Sequence, residues 1–478
     1  MLCKLELTNN LIFITSRNYI IQHISKNFTY RDISQAFVHG KFQKHNVRII
    51  KLLKFQSDKY ASLPIGLLDE LKYLLDNIED MNYKIIDNRS TIKHNFTDEQ
   101  IKNCLNTPLR DYQVDAAKTF FREQQMIMKA ATGSGKTKVT AAIIKLLDVP
   151  TLILAHKKDL VHQTAKRFIE DGLTNIGIVQ GTNMHTDKVT IATIQSAHKI
   201  DPNIRNNFKM VVSDECHRCN SPTYQALLSQ MVNTHYKLGL SATPYNKDKL
   251  HNALVKSWIG EIKFDLGAKD LIAQGFLAEP EIHIIPIRKA VQVRHLKSGY
   301  KKYSINIEDY GWVGAERNGI IHNAYRNDVI KVIAENAPGP VLVLVKSIKH
   351  GEKLNKIISN SIFIYGDTKI EDRQEHIKEF EEGKNIILIG STILDEGIDI
   401  QELKTLIVCA GGKSFIRTIQ RLGRALRKTE TKHDVLIYDF MDTTNRYLEK
   451  HSKERIKAYQ KEGFQKIIFD KGYDENQK

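Results

Sequence analysis

Two hydrophobic rhythms alternate along the chain. Near the N-terminus, Lys4-Leu5-Glu6-Leu7 alternates polar with apolar, Thr8-Asn9-Asn10 supplies turn residues, and Leu11 to Thr15 resumes a strand-like run. Period two on both sides of a turn cluster predicts a β-hairpin. Leu67, Leu68, Leu71, Leu74, Leu75 and Ile78 then recur at helical spacing. Residues 1–95 therefore read as a small α+β block, and 96–108 as a linker. From about 109 to 245 short apolar runs alternate with helical stretches: Met126 to Met128, Thr151 to Ala155, Val189 to Thr193, Met210 to Ser213 and Lys237 to Ser241. A second set fills about 340 to 445: Val341 to Val345, Ile362 to Tyr365, Ile386 to Ile389, Thr405 to Cys409 and Val435 to Asp439. Strands spaced by helices predict βα repeats around parallel sheets, so the fold class is α/β with two tandem domains. The stretch from about 285 to 325 breaks the rhythm and predicts an inserted hairpin or long loop. The tail from Arg446 to Lys478 reads as a charged helix followed by the apolar patch Ile467 to Phe469.

Composition narrows the classes. The 478 residues are 41% hydrophobic and 26% charged, which argues against a disordered chain, a collagen-like fibre or a disulfide scaffold. At ~150 residues per domain, about three domains are expected. No apolar run is long enough for a membrane-spanning helix, and the first residues do not read as a signal peptide, so a cytoplasmic protein with no membrane partner is expected. Five cysteines, at positions 3, 104, 216, 219 and 409, fit a reducing compartment. The net charge of +16 favours a polyanion, nucleic acid before membrane surface, although a basic face kept for solubility gives the same sum. Lys41, Lys44, Arg48, Lys51, Lys54 and Lys59, with Phe42 and Phe55 among them, are either a phosphate-tracking surface or a solvated basic face.

The strongest chemical signal is Ala130-Ala131-Thr132-Gly133-Ser134-Gly135-Lys136-Thr137, which follows one apolar run and opens the helical stretch Val139 to Leu147. A loop that cradles phosphate needs glycines so that successive N–H groups can curl around oxygens, a lysine for the β- and γ-phosphates, and a hydroxyl for Mg²⁺. Thr132, Gly133, Ser134, Gly135, Lys136 and Thr137 meet that need, although Ala130 replaces the usual first glycine. Downstream, Met210 to Ser213 runs into Asp214-Glu215-Cys216-His217. In a P-loop enzyme an aspartate there completes the Mg²⁺ shell, and the adjacent glutamate activates the attacking water. Cys216 and Cys219 have CxxC spacing, but one such pair without a second reads as two unlinked thiols rather than a zinc site.

With these motifs in hand, the chain resembles a superfamily 2 helicase of the DExH type. The resemblance covers roughly 109 to 445 and implies two RecA-like domains, with ATP and Mg²⁺ as cofactors. Arg110 and Gln113 in Leu109-Arg110-Asp111-Tyr112-Gln113 resemble the Q motif, where glutamine reads adenine. His156 and Lys157 resemble motif Ia, and Thr193 with Gln195 resembles motif Ic, both contacts to nucleic acid. Ser241 and Thr243 in Ser241-Ala242-Thr243-Pro244 resemble motif III, which with His217 and Gln420 couples the nucleotide to domain closure. Val341 to Lys346 resembles motif IV, and Tyr365-Gly366-Asp367 with Arg373 resembles motif IVa. Thr392, Gly397 and Asp399 match motif V, the first facing nucleic acid and the others the ribose. In Gln420-Arg421-Leu422-Gly423-Arg424-Ala425-Leu426-Arg427, similar to motif VI, Arg424 and Arg427 would be the arginine fingers.

The form of motif VI and the run Tyr438-Asp439-Phe440 resemble DNA-acting members, namely UvsW-type phage recombination helicases and their RecG-like and XPB-like relatives. The domains implied are a basic N-terminal DNA-binding block over 1–95, an ATP-binding domain over 96–282 and a second domain over 283–478 carrying the 285–325 insert and a C-terminal helix. The activity implied is ATP-driven unwinding, fork remodelling and branch migration by a monomer on branched DNA, in replication, recombination or repair. A duplex translocase that separates no strands shares the same motor, and an RNA helicase is a further reading. Tyr300, Tyr303 and Trp312 in the insert could stack on bases or simply pack on the second domain.

Overall fold

The computed structural model describes residues 2–33, 37–38, 41–42, 47–89, 92–296, 299–384, 387–391, 403–410 and 435–471. Its contacts group into two units, one formed by 1–130 with 135–265, the other by 131–134 with 266–478.

The first unit holds two large sheets and two short antiparallel pairs, Thr29–Asp32 with Arg48–Lys51 and Phe37–Val38 with Lys41–Phe42. The N-terminal sheet comprises β1 (Leu2–Leu7), β2 (Leu11–Thr15), β3 (Lys54–Ser57), β4 (Tyr60–Pro64) and β5 (Asn82–Asp87), in the order β3-β4-β2-β1-β5. The expected hairpin is β1–β2, with Leu5 opposite Ile14. Alternation along both strands sends Leu5, Leu7, Ile12 and Ile14 into one core. Ile20, Ile21 and Ile24 of the helix Asn18–Asn27 and Leu71 and Leu75 of Leu68–Asp76 close that core from the helical side. Of the basic cluster, Arg48, Lys51 and Lys54 are exposed, as is Phe55. The side chains of Lys41, Phe42 and Lys44 lie outside the described residues.

The stretch read as a linker contains a short helix, Asp98–Lys102. Thr97 caps it: its hydroxyl accepts the Gln100 N–H at 3.2 Å, and Gln100 Oε1 accepts the Thr97 N–H at 2.8 Å. That reciprocal cap satisfies two otherwise orphaned donors, which is why five polar-rich residues hold a helix.

The second sheet of this unit comprises β6 (Gln125–Ala130), β7 (Thr151–Ala155), β8 (Ile176–Gln180), β9 (Asn183–Met184), β10 (Val189–Thr193), β11 (Met210–Asp214), β12 (Tyr236–Ser241) and β13 (Ile262–Leu266), ordered β9-β8-β10-β7-β11-β12-β6-β13. From β8 to β6 every pairing is parallel. β8, β9 and β13 are strands that the apolar pattern missed. In β8 the cause is visible: a Cβ on Gly177 would stand 2.5 Å from the Asp187 amide nitrogen, so a glycine interrupts the run where the next segment passes close. The two sheets are tied by Lys237, buried at the start of β12, whose ammonium donates to Asn9 O at 2.5 Å and Asn10 Oδ1 at 2.7 Å.

The second unit is built on β14 (Pro280–Ile287), the hairpin β15 (Ala290–Leu296) and β16 (Gly299–Ile305), then β17 (Val341–Leu344), β18 (Ser361–Ile364), β19 (Ile387–Gly390), β20 (Thr405–Val408), β21 (Val435–Asp442) and β22 (Ile467–Phe469). Its main sheet is parallel in the order β18-β19-β17-β20-β21-β14-β22. The break expected at about 285 therefore falls inside a central strand, and the excursion starts after Ile287. Glu281 and His283 hid that strand, because polar residues at alternate positions mask a run whose other face is buried. The apolar patch Ile467–Phe469 is the edge strand of this sheet. Among the described residues, no helix is long and apolar enough to cross a membrane.

Candidate functional site

β6 runs into a loop and then into the helix Lys136–Leu147. The loop turns on Gly133 at φ 88° and Gly135 at φ 79°, a left-handed conformation that residues with a Cβ avoid. Gly135 is also the N-cap. The first-turn N–H groups and positive dipole end of the helix that begins there favour an anion. Lys136 Nζ donates to Ala130 O at 2.8 Å, which folds the lysine back over the loop. Thr137 follows it in the first helical turn.

Gln113 is drawn to the same place. It is buried in the first turn of the helix Asp111–Glu123, where its Oε1 accepts the Arg110 backbone N–H at 2.9 Å. Its Nε2 stands 2.3 Å from where a Cβ on Gly135 would be. The glycine thus serves both the turn and the close approach of this amide.

The acidic pair ends β11. Asp214 Oδ1 accepts the Glu215 N–H at 3.0 Å. Glu215 has φ 50° and ψ 53°, a strained setting for a residue with a side chain, worth roughly 1–2 kcal/mol. That turn brings its Oε2 to 3.2 Å from His217 Nδ1. The same nitrogen lies 3.4 Å from Ser241 Oγ at the end of β12, and Ser241 Oγ accepts the Thr243 N–H at 3.1 Å. A continuous polar path therefore runs from Glu215 through His217 and Ser241 to Thr243.

Sheet register explains why residues far apart in sequence converge. Lys129 pairs with Ser241, Leu240 with Asp214, Ser213 with Leu154, and Ala155 with Thr193. The carboxyl ends of β6, β12, β11, β7 and β10 are thus level, and ligands of open parallel sheets bind at that edge. His156 and Lys157 leave the end of β7, Thr193 ends β10, and Gln195 is exposed one residue beyond Ile194. Thr392, Gly397, Asp399, Gln420, Arg424 and Arg427 lie outside the described residues.

The donor chemistry fits a magnesium ion. The Thr137 hydroxyl and the Asp214 carboxylate are hard oxygen ligands, and Mg²⁺ takes few protein ligands and fills its shell with water and phosphate oxygens. Cys216 and Cys219 are buried free thiols. Burial pushes Cys216 well above the ordinary thiol range and Cys219 up to about 12, so neither is a thiolate at neutral pH. Trp312 is occupied by packing: its ring meets the His451 ring at 4.5 Å and Lys346 Nζ at 5.6 Å. What the sequence did not reveal is the left-handed backbone of Glu215 and the second use of Gln113 as a helix cap.

Residues 106–246 match the family described as type III restriction enzyme, res subunit, and residues 324–429 match the helicase conserved C-terminal domain. The chain belongs to the superfamily 2 helicases. This superfamily 2 helicase is an ATP-dependent enzyme related to uvsW. It is 24% identical to the ATP-dependent DNA helicase uvsW of Enterobacteria phage T4 over 450 residues, 85% of this chain and 87% of that one. It is equally 24% identical to the DNA 3'-5' translocase XPB2 of Sulfurisphaera tokodaii over 400 residues, 78% of this chain and 88% of the other. In fold the helicase is similar to the ATP-dependent type ISP restriction-modification enzyme LlaBIII bound to DNA. That match has a TM-score of 0.56 at 14% identity, over 86% of this chain and 34% of that one. The tandem parallel sheets are accordingly RecA-like.

Proposed function

We propose that the chain is an ATP-dependent DNA helicase of the DExH type that remodels branched DNA such as forks and four-way junctions. The observation that carries the reading is the level carboxyl edge of the first unit's large sheet. It gathers the phosphate loop, the acidic pair, the Ser241–Thr243 turn and the expected nucleic-acid contacts. Names of relatives that act on DNA, together with the net charge of +16, support DNA as the polymer.

In this reading the loop glycines and Ser134 wrap the phosphates, with Thr132 beside them. Lys136 leaves its contact with Ala130 O for the β- and γ-phosphates. Gln113 and Arg110 face the adenine, and Gly397 with Asp399 the ribose. Thr137 and Asp214 hold Mg²⁺, which neutralises phosphate charge. Glu215 takes the proton of the attacking water, a reading supported by its left-handed backbone at the end of β11. Arg424 and Arg427 oppose the charge that develops on the γ-phosphate. His217, Ser241, Thr243 and Gln420 transmit the nucleotide state. His156, Lys157, Thr193, Gln195 and Thr392 hold the DNA backbone.

The deciding measurement is the steady-state ATPase rate with single-stranded DNA, linear duplex, a fork, a four-way junction and single-stranded RNA, all at one salt concentration. Strongest stimulation by fork or junction is expected. Stimulation by linear duplex alone would replace the branch reading with duplex translocation, and stimulation by RNA alone would overturn DNA as the substrate.

A further inference from the structure

The hairpin β15–β16 carries side chains that the α/β framework does not use. Its register sets Gln292 opposite Tyr303 and Arg294 opposite Lys301. Side chains alternate across a strand, so these four share one face. Two cations therefore stand directly opposite one another, an arrangement that costs a hairpin stability. Arg294 and Lys301 are both exposed, and among the described residues neither has a carboxylate partner. Lys302, on the other face, is paired with Asp328.

Tyr303 is held in place beside that pair. Its hydroxyl donates to Gln292 Oε1 at 3.2 Å, Gln292 Nε2 donates to Asn318 Oδ1 at 2.7 Å, and Asn318 Nδ2 donates to Gly314 O at 3.0 Å. Asn318 lies in the π-helix Glu316–Ile321, a rare element that concentrates at functional positions. The base of the hairpin is pinned by Asn323, which accepts the Val291 N–H at 3.0 Å and donates to Lys289 O at 2.9 Å. Even so, 41% of Tyr303 is exposed. An aromatic ring already fixed by its own hydroxyl loses little freedom when a base stacks on it.

We propose that this hairpin face is a platform for a single DNA strand, with a base stacked on Tyr303 and neighbouring phosphates on Arg294 and Lys301. Phosphate binding relieves the cation repulsion that the bare hairpin carries. Trp312, packed against His451, takes no part. The proposal rests on the reading of the chain as a DNA helicase and assigns one place where it grips a separated strand.

The test uses the full chain, a fluorescein-labelled oligothymidylate and a blunt duplex, titrated without nucleotide across a salt series. Each phosphate contact on a single strand contributes ~0.7 to the slope of log affinity against log salt. Replacing both Arg294 and Lys301 by Ala should therefore lower the slope for the oligothymidylate by about 1.4. Tyr303→Ala should weaken the oligothymidylate about 5- to 100-fold, the loss of one stacked base, and leave the duplex unchanged. Arg294→Glu turns the repelling pair into an attracting one, so it should raise the thermal midpoint while weakening the single strand. Unchanged affinity and slope in every variant, with wild-type binding intact, would overturn the platform and leave the helicase reading standing. Equal losses for duplex and single strand would overturn stacking. Failure of the wild-type chain to bind any DNA would remove the underlying reading as well.

Discussion

β11 and β21 look alike as sequence, each an apolar run closing on aspartate, yet their acids sit in opposite settings. Asp214 and Glu215 stay partly exposed at the carboxyl edge of their sheet, where Glu215 holds a left-handed backbone. In β21, Asp439 and Asp442 are both 1% exposed. Asp439 accepts from Arg455 Nε at 2.9 Å and from the Tyr459 hydroxyl at 2.9 Å. Asp442 accepts from Arg326 Nε at 2.9 Å, and that guanidinium also lies 4.4 Å from the centre of the Phe440 ring. Burial still holds the Asp442 carboxyl above its usual range despite Arg326, which shows how costly the charge is there. A half-solvated acid is available for chemistry, whereas a fully buried, fully bonded one fixes the packing of helices Ala324–Asn336 and Arg446–Lys461 on the sheet.

The largest effects are expected from removing charge at each strand end. Glu215→Gln keeps the shape of the side chain and removes the base. Turnover should fall ~10²–10⁴-fold, the usual contribution of a positioned base, with nucleotide affinity unchanged. Steady-state ATPase beside a nucleotide-binding titration reads both, and turnover within tenfold of wild type would deny Glu215 its role. Asp439→Ala leaves the Arg455 guanidinium buried without its carboxylate, so it should cost about 3–5 kcal/mol of stability. Denaturant unfolding measures that loss, and a change under 1 kcal/mol would mean that Arg455 finds another partner or water.

The contrast also shows what was legible beforehand. Fully buried parallel strands such as β7, β10 and β17 are short runs of apolar and β-branched residues, and their bounds could be read to within a residue. The phosphate loop and the acidic pair were legible because their chemistry demands rare residue types at fixed spacing. β14 was hidden by alternating polar residues, β8 by a glycine required for close approach, and β22 by its brevity. Arg326 and Arg455 could not be found at all: each meets an acid from another element, and nothing local marks an arginine on a charged helix as buried. The Glu215–His217–Ser241–Thr243 path was anticipated as residues but not as a connection, since only sheet register aligns β11 with β12.

Lys237 offers an intermediate case, a buried base bonded to Asn9 and Asn10 and, among the described residues, paired with no acid. Burial, reinforced by the Arg89 charge, pushes its ammonium down to about 7 from 10.5. Between those values the unfolded chain holds a proton that the folded chain lacks, so stability climbs as pH rises through the window, by up to about 1.4 kcal/mol per pH unit. His235, itself held below its ordinary value by burial, is neutral throughout that range and does not compete. Lys237→Met should flatten the climb, as read by urea unfolding at several pH values between the two limits. An equal climb in the variant would place the titration elsewhere.

The smallest expected effect separates chemistry from its transmission. Ser241 is buried, and its hydroxyl accepts the Thr243 N–H while facing His217. Ser241→Ala removes one hydrogen-bond acceptor and should cost about 1 kcal/mol of stability. The phosphate loop and Glu215 are untouched, so DNA-stimulated ATPase should stay within a few fold of wild type. Strand separation per ATP should fall further, because the path from Glu215 to Thr243 is cut at its midpoint. Measuring both rates on one fork substrate decides the point. Parallel losses would place Ser241 with Glu215 in the chemistry, whereas loss of unwinding alone would make the register between β11 and β12 the route by which hydrolysis reaches the DNA.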